Sequence, residues 1–150
     1  MIKTWLRLVL VAAIVGVAPL AHAYMCFAEA GVRYRVSPIL LEAIAGHESG
    51  FRPRLVHRNK NGSVDIGLMG INSSWYPRLA RFGITPRDLF HECTNIMVGA
   101  WILGLGVQRY GMTWKAVGVY NSPDSARYQG LYARYIYAEI QHLLEGGNER

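Results

Sequence analysis

One polar segment interrupts a chain that otherwise shows helical periodicity, and this pattern constrains the fold more than any other feature. Residues 52–63 lack the spacing of apolar side chains that marks the helical segments before and after them. Asn61 and Gly62 lie near the end of this segment, and Asn-Gly is a strong signal for a two-residue hairpin turn. The sequence therefore predicts a mainly α domain of the α+β class, with a small β-hairpin inserted over about Val56 to Ile66.

The helix before the hairpin has signals at both ends. Ser37 followed by Pro38 is a typical helix start, with serine as the N-cap and proline at the first helical position. Ser49-Gly50 ends the helix just after Glu48. Four further helices are predicted, over Phe27 to Arg35, Thr94 to Arg109, Trp114 to Tyr120 and Ala126 to Leu144. The last of them has one apolar face, formed by Leu131, Tyr132, Tyr135, Ile136, Ile140 and Leu143.

The first 23 residues differ in composition from the rest of the chain. Lys3 and Arg7 precede an almost wholly apolar run over residues 8–21, and Ala21-His22-Ala23 has the small-x-small form of a signal-peptidase site. The apolar run is short for a membrane span. We therefore predict a secretory signal over residues 1–23 and a single exported domain over residues 24–150. The alternative is an uncleaved signal that anchors the domain to the membrane.

The chain is basic, with a formal net charge of +6. Removal of Lys3 and Arg7 with the signal would reduce this charge by two, to +4. A positive charge favours a polyanionic partner such as cell wall or nucleic acid. Because the basic residues are scattered rather than clustered, the sequence argues against a nucleic-acid-binding face.

Two cysteines, Cys26 and Cys93, remain after the predicted signal. An even pair in an oxidising compartment indicates a disulfide. A bond between them would close a long loop and contribute about 4 kcal/mol in the chain-entropy model. Two buried free thiols are the alternative.

Glu48 is the first candidate for chemistry. Helical spacing puts it on one face with Leu41, Ile44 and Ala45, so a carboxyl group continues an apolar stripe. Burial there would raise its pKa, which a general acid requires near neutral pH. The alternative is that Glu48 turns to solvent or pairs with Arg52 one helical turn later.

The second candidate region follows the predicted hairpin turn. It combines the carboxyl group of Asp65 with two glycines in an apolar run, Gly67 and Gly70, and glycine lets a ligand approach the backbone closely. Amide and aromatic side chains of the kind that bind carbohydrates come next, at Asn72, Trp75 and Tyr76. The alternative is an ordinary hairpin that packs Leu68, Met69 and Ile71 into the core.

Three ordered motifs in these regions resemble the lysozyme-like superfamily, and most closely its lytic transglycosylases of the SLT type. They are Glu48-Ser49 after an apolar helix, the Gly-Leu-Met-x-Ile segment from Gly67 to Ile71, and Tyr120-Asn121. The resemblance covers nearly the whole chain after residue 23. It implies a lysozyme-like helical domain that cleaves the glycan strands of peptidoglycan, with Glu48 as the catalytic acid. The substrate-binding residues it implies are Ser49, Gly67, Met69, Gly70, Ile71, Asn72, Tyr120 and Asn121.

Within this superfamily the chain looks like the small periplasmic enzymes that accompany secretion, conjugation and pilus machines. Members of that group commonly carry a similar cysteine pair, and components of such machines become candidate partners. The resemblance requires no cofactor. A metal site is not predicted either, because His47-Glu48 is not the His-Glu-x-x-His motif and no second ligand follows at helical spacing.

Two positions depart from the transglycosylase pattern. Many family members have glutamine where this chain has Gly70, so a side-chain contact with the substrate is missing or supplied elsewhere. Asp65 lies where the similar hairpin of animal-type lysozymes carries a second catalytic carboxylate. Two other functions therefore stay open, namely a hydrolytic muramidase that uses Glu48 with Asp65, and a non-catalytic peptidoglycan-binding assembly subunit.

Overall fold

A computed structural model describes residues 18–146, with side chains from Met25 onward. The predicted signal over residues 1–23 falls mainly outside these described residues and stays a prediction. No helix within residues 18–146 has both the length and the apolar character needed to cross a membrane. The described chain forms six α-helices, two short 3₁₀ turns and one small antiparallel sheet.

The helices occupy the following ranges. They are α1 Ala18–Tyr34, α2 Pro38–Ser49, α3 Tyr76–Ala80, α4 Glu92–Tyr110, α5 Trp114–Asn121 and α6 Ala126–Gly146. The 3₁₀ turns are Ser73–Trp75 and Asp88–Phe90. The five predicted helices are thus confirmed, although α1 begins well before the predicted start at Phe27. Helix α3 was not predicted, because five residues are too few to show helical periodicity.

Helix α2 carries Glu48, and its two ends show how the sequence fixes this position. Pro38 begins the helix as predicted, whereas the Ser37 side chain makes no capping hydrogen bond. At the other end Gly50 has a left-handed backbone, with φ +58°, and its N–H donates to the carbonyl of Gly46 at 2.8 Å. Glycine adopts this conformation without a steric cost, so the helix stops directly after Ser49.

The predicted hairpin is confirmed and gains a third strand. Strands β1 Val56–Arg58 and β2 Val64–Ile66 form the hairpin, and β3 Ile71–Asn72 pairs antiparallel with β2. The register sets Asp65 opposite Asn72. A two-residue strand has no periodicity of its own, so β3 could not be predicted from the pattern of side chains.

The core lies where α4 packs against α1 and α5, with α6 covering α5 and α2. Its fully buried side chains are mostly aliphatic and include Leu41, Ile44, Met69, Ile71, Leu79, Leu89, Ile96, Leu103 and Ile136. The predicted apolar face of α6 is only partly correct. Tyr132 and Ile136 are buried, but Leu131 is 38% and Tyr135 58% exposed. Tyr135 stacks its ring on that of His47 on α2, with the ring centres 5.5 Å apart, yet more than half of its side chain stays exposed.

A disulfide joins Cys26 on α1 to Cys93 on α4, as predicted. The Cα atoms of the two residues are 5.3 Å apart, inside the usual range for a disulfide. The alternative of two free thiols is therefore wrong. The bond fixes the first described helix to the central helix of the core.

Candidate active site

Glu48 lies at the end of α2 and points toward α6. Its Oε1 atom accepts a hydrogen bond from the hydroxyl group of Tyr132 at 2.6 Å. Arg52, the alternative partner one turn later, instead donates its Nε–H to the carbonyl oxygen of Ser49 at 2.7 Å. Glu48 is therefore held by a neutral donor from another helix.

The surroundings of Glu48 change its acidity. Burial raises the pKa of its carboxyl group from 4.5 to about 7, with a smaller increase from the negative charge of Asp65. The hydrogen bond from Tyr132 acts in the opposite direction, because it stabilises the ionised form. A carboxyl group with a pKa near 7 can hold a proton and release it at neutral pH, which is what general acid catalysis requires.

Two stacked tyrosines line the site beside Glu48. The rings of Tyr120 and Tyr132 lie 6.4 Å apart and within 19° of parallel. Tyr120 donates its hydroxyl proton to the carbonyl oxygen of Met69 at 2.7 Å. Burial, followed by the charge of Glu48, raises the pKa of both phenols well above the usual value. Both hydroxyl groups thus stay protonated and act as donors.

Asn95 on α4 holds the Gly67–Ile71 segment in place through hydrogen bonds. This asparagine on α4 is 1% exposed, and its Oδ1 accepts the N–H of Met69 at 2.7 Å. Its Nδ2 donates to the carbonyl oxygens of Ile66 and Leu89 at 2.9 and 2.8 Å. A β-carbon at Gly67 would collide with the Asn95 amide. The close approach of the segment to α4 thus depends on glycine at position 67.

Ser49 attaches the same segment to α2. Its side chain is 2% exposed, and its hydroxyl lies 3.0 Å from the carbonyl oxygen of Ala45 and 2.9 Å from that of Leu68. These contacts give Ser49 a role in holding the segment against Glu48. The side chains of Met69 and Ile71 are also buried, and the N–H and carbonyl of Met69 are bonded to Asn95 and Tyr120.

Asp65 belongs to a polar network on the sheet. Its Oδ1 accepts from the Asn72 amide and its Oδ2 from the Asn59 amide, each at 2.7 Å. Both amides also donate to the Ser63 hydroxyl at 3.0 Å. The network fixes the Asp65 carboxyl group, and its charge acts on Glu48, Tyr76 and Tyr120. Asp65 and Glu48 therefore belong to one electrostatic site.

Of the two aromatic residues that follow β3, Trp75 packs against another tryptophan and Tyr76 lies within the influence of the Asp65 charge. Trp75 packs edge-on against Trp101 at 5.5 Å, and the Arg78 guanidinium lies 4.7 Å from the Trp101 ring centre. Within the described chain, the Tyr76 hydroxyl is a buried atom with no hydrogen-bond partner. Burial and the charge of Asp65 raise the pKa of this phenol. Asn121 is exposed at the end of α5.

Sequence reasoning found Glu48 but missed two residues that hold the site together. Tyr132 was predicted to serve helix packing, and nothing in its spacing distinguishes it from its apolar neighbours. Asn95 lies in the first turn of α4 among polar residues and before the apolar run, so no local signal distinguishes it. In the part of the chain that the structure describes, no group of three His, Cys, Asp or Glu side chains is arranged to bind a metal ion.

Comparison with known proteins agrees with this geometry. The transglycosylase SLT domain family matches residues 25–135. Invasion protein IagB of Salmonella typhi is 37% identical over 124 residues, which cover 80% of this chain and 78% of that protein. Protein IpgF of Shigella flexneri is 40% identical over 116 residues, which cover 75% and 76%. The X polypeptide of Escherichia coli is 35% identical over 129 residues, which cover 85% and 76%.

The fold and the site define a lysozyme-like domain of the lytic transglycosylase type, a class that acts on peptidoglycan. The chain belongs to the transglycosylase SLT domain family.

Proposed function

We propose that this protein is an exported lytic transglycosylase. It cleaves the β-1,4 bond between N-acetylmuramic acid and N-acetylglucosamine and leaves a 1,6-anhydro end on the muramoyl residue. The observation that carries the proposal is the environment of Glu48, where burial raises the pKa to about 7 and Tyr132 holds one carboxyl oxygen. Membership of the SLT family supports the substrate class.

In the first step the protonated Glu48 donates its proton to the glycosidic oxygen. The bond between that oxygen and C1 of the muramoyl sugar breaks, and an oxocarbenium-like centre develops at C1. In the second step the ionised Glu48 takes the proton from the 6-hydroxyl of the same sugar, while that oxygen forms a bond to C1. A single carboxyl group thus acts as acid and then as base, which typically contributes about 10²–10⁴-fold to the rate.

The residues around Glu48 orient the sugar. The backbone of Gly70 lies next to the carboxyl group, and the Tyr120 hydroxyl fixes the carbonyl of the preceding Met69. The exposed Asn121 offers an amide at the end of α5, whereas the Asn72 amide is bonded to Asp65, Ser63 and Ser74 and supports the site from the sheet. Amide and carbonyl groups of this kind match the N-acetyl and hydroxyl groups of the glycan.

A hydrolytic muramidase is the second candidate function, and one observation favours it. Asp65 is a fixed carboxyl group whose charge acts on Glu48. A second carboxylate of this kind can stabilise positive charge at C1 or form a covalent intermediate, after which water completes the reaction. A non-catalytic binding subunit is the third candidate, but such a protein has no use for a buried carboxyl group with a raised pKa.

Product analysis distinguishes these functions. Purified sacculi are digested with the wild-type protein, and the soluble fragments are separated and weighed by mass spectrometry. Anhydro-muramoyl ends support the transglycosylase. Reducing muramoyl ends instead would establish the muramidase, and the absence of fragments at any pH between 5 and 8 would establish a binding subunit.

The export signal and the cellular role belong to the same proposal. We propose that residues 1–23 direct the chain to the periplasm and are removed there, so that the N-terminal sequence of the mature protein begins at Tyr24. The invasion protein named among its relatives supports a role in opening the cell wall locally for an envelope-spanning secretion or pilus machine. Sequencing of protein from a periplasmic extract tests the cleavage, and an unprocessed chain in the membrane fraction would contradict it.

A further inference from the structure

The imidazole ring of His47 on α2 contacts two tyrosine rings of α6. It is nearly parallel to the ring of Tyr135, with the ring centres 5.5 Å apart and 14° between the planes. It is nearly perpendicular to the ring of Tyr132, at 5.3 Å and 81°. Aromatic rings prefer both arrangements. His47 thus connects the residue next to Glu48 with the tyrosine that donates to Glu48.

The three rings differ in their exposure to solvent. His47 is exposed and Tyr135 is 58% exposed, whereas Tyr132 is only 4% exposed. The exposed pair therefore packs over a buried ring. Tyr120 on α5 also stacks on Tyr132, with the ring centres 6.4 Å apart. The ring of Tyr132 is thus contacted by aromatic rings from two other helices, α2 and α5.

The charge on His47 is set by its contacts with α6. Burial lowers the pKa of its imidazole below the usual value, although the negative charge of Glu139 opposes this change. The Glu139 carboxyl group lies beside α2, because a β-carbon at Gly46 would be 2.6 Å from its Oε1. With a pKa below 6.5, the imidazole is mostly neutral at pH 7. Its contacts with the tyrosines are therefore those of an uncharged aromatic ring.

We propose that His47 is a positioning residue whose ring holds Tyr132 in the orientation from which its hydroxyl donates to Oε1 of Glu48. This inference rests on the proposed function. The hydroxyl is at the far end of the Tyr132 side chain, so a small tilt of the side chain displaces it most. A hydrogen bond weakens steeply when its angle departs from linearity. The contacts with His47 and Tyr120 restrict that tilt, and His47 acts on Glu48 through Tyr132.

The substitution His47→Ala tests the proposal, because it removes the ring and keeps an exposed helical position that alanine favours. We expect kcat on soluble glycan fragments to fall about threefold with little change in KM, since the positioning of the acid is impaired. His47→Phe restores a neutral ring and should keep wild-type kcat. Unchanged kcat in His47→Ala, or an equal loss in His47→Phe, would overturn the proposal.

The matched control is His142→Ala. His142 is also an exposed histidine on a helix, and it lies about 15 Å further along α6 than Tyr132. This variant should keep wild-type kcat, and circular dichroism should show the same helical content in all variants. A loss in His142→Ala as large as that in His47→Ala would show a general effect on the helices, and the proposal would be wrong.

A double-mutant cycle with Tyr132→Phe separates positioning from an independent role of His47. If His47 acts only by holding the Tyr132 hydroxyl, His47→Ala should cause no further loss of kcat once that hydroxyl is removed. Losses that simply multiply would show that the two residues act independently, which contradicts the proposal.

NMR of the Tyr132 ring keeps the test independent of activity. The protein is labelled with ¹³C at Cζ of tyrosine, the carbon that bears the hydroxyl, and the Tyr132 signal is identified by its absence in Tyr132→Phe. This signal should shift as Glu48 ionises near pH 7. The phenol itself stays protonated there, because burial raises its pKa well above the usual value. Glu48→Gln should abolish the shift.

The two His47 variants should differ in this titration. His47→Phe has no imidazole to titrate and should retain the shift at Tyr132, whereas in His47→Ala the shift should fall to less than half. A full shift in His47→Ala would overturn the inference about His47. Absence of cleavage by the wild type would instead reject the proposed function, while the titration would still decide whether His47 positions Tyr132.

Discussion

The two halves of the site hold their carboxyl groups in opposite ways. On the helical side, Glu48 lies between α2 and α6, where burial raises its pKa to about 7 and Tyr132 is its hydrogen-bond donor. On the sheet side, Asp65 accepts from two amides, those of Asn59 and Asn72, on neighbouring strands. An apolar environment stabilises a protonated acid, whereas converging amide donors stabilise a negative charge.

This contrast assigns different roles to two chemically similar groups. Glu48 is suited to proton transfer, whereas the Asp65 carboxyl group is held in one place by the amides of Asn59 and Asn72. Enzymes that act on glycosidic bonds commonly separate the roles of two carboxyl groups by environment in this way. The comparison can be tested by changing one side at a time and following both the rate and its pH dependence.

The largest effect is expected from Glu48→Gln, which removes the transferable proton and keeps the shape of the side chain. Cleavage of sacculi should fall by about 10²–10⁴-fold, because the proposal assigns both proton transfers to this one carboxyl group. Fragment release by the variant is compared with the wild type at equal protein concentration, with circular dichroism as the folding control. A folded variant with full activity would show that the helical side does not perform the chemistry.

Asp65→Asn tests the sheet side and should have an intermediate effect. Loss of its charge should lower the rate about tenfold, since a positive centre at C1 loses one stabilising charge. The charge of Asp65 raises the pKa of Glu48, so its removal should lower that pKa. The alkaline limb of the pH profile of kcat/KM should therefore move to lower pH, and anhydro products should persist. A loss as large as that of Glu48→Gln, with reducing ends from the wild type, would make Asp65 a catalytic partner.

Tyr132→Phe changes the helical side without touching its carboxyl group. The rate should fall about fivefold, the value of one neutral hydrogen bond that positions Glu48. The Tyr132 hydroxyl lowers the pKa of Glu48, so its removal should raise that pKa and move the alkaline limb to higher pH. The clearest test of the comparison is that Tyr132→Phe and Asp65→Asn should shift the pKa of Glu48 in opposite directions. Shifts in the same direction would contradict the assigned environments.

Asn59→Ala should have the smallest effect. It removes one of the two amide donors to Asp65, while the donor from Asn72 remains. We expect about a twofold loss of rate and a decrease of about 1 kcal/mol in the free energy of unfolding, measured by urea titration. A loss as large as that of Asp65→Asn would show that the network, rather than the charge alone, controls this side.

The sequence predicted the elements of the fold better than their contacts. Strong local signals mark the ends of α2, the hairpin and the cysteine pair, and the structure confirms all three elements. The predicted two-residue turn at Asn61-Gly62 is wrong in detail, because the Gly62 N–H donates to the carbonyl of Asn59 and the central residues of the turn are Lys60 and Asn61. The third strand and α3 were not predicted, because elements of two and five residues are too short to show periodicity. The prediction made the buried face of α6 too wide. Periodicity shows which side chains share a face, but it does not show how much of that face a neighbouring helix covers.

The residues of the site show the same difference between local patterns, which could be predicted, and contacts between distant residues, which could not. The apolar stripe before Glu48 is a local pattern, so this carboxyl group could be selected from sequence and its pKa direction anticipated. The contacts of Tyr132 with Glu48 and of Asn95 with Met69 join residues 84 and 26 positions apart. Such pairs depend on how helices pack. The contact between Gly70 and Glu48 is equally invisible locally, because a glycine has no side chain to reveal its neighbour.

The separation of Tyr132 from Glu48 by 84 residues has a consequence for the order in which activity arises. The acid is present in the chain early, but its partner arrives only with the final helix. A chain that ended before Ala126 would carry the Glu48 and Gly67–Ile71 motifs yet would lack the helix that covers α2. The carboxyl group would then be hydrated and would ionise at neutral pH like an ordinary surface glutamate. Packing of α6 against α2 thus completes the buried environment that raises the pKa of Glu48.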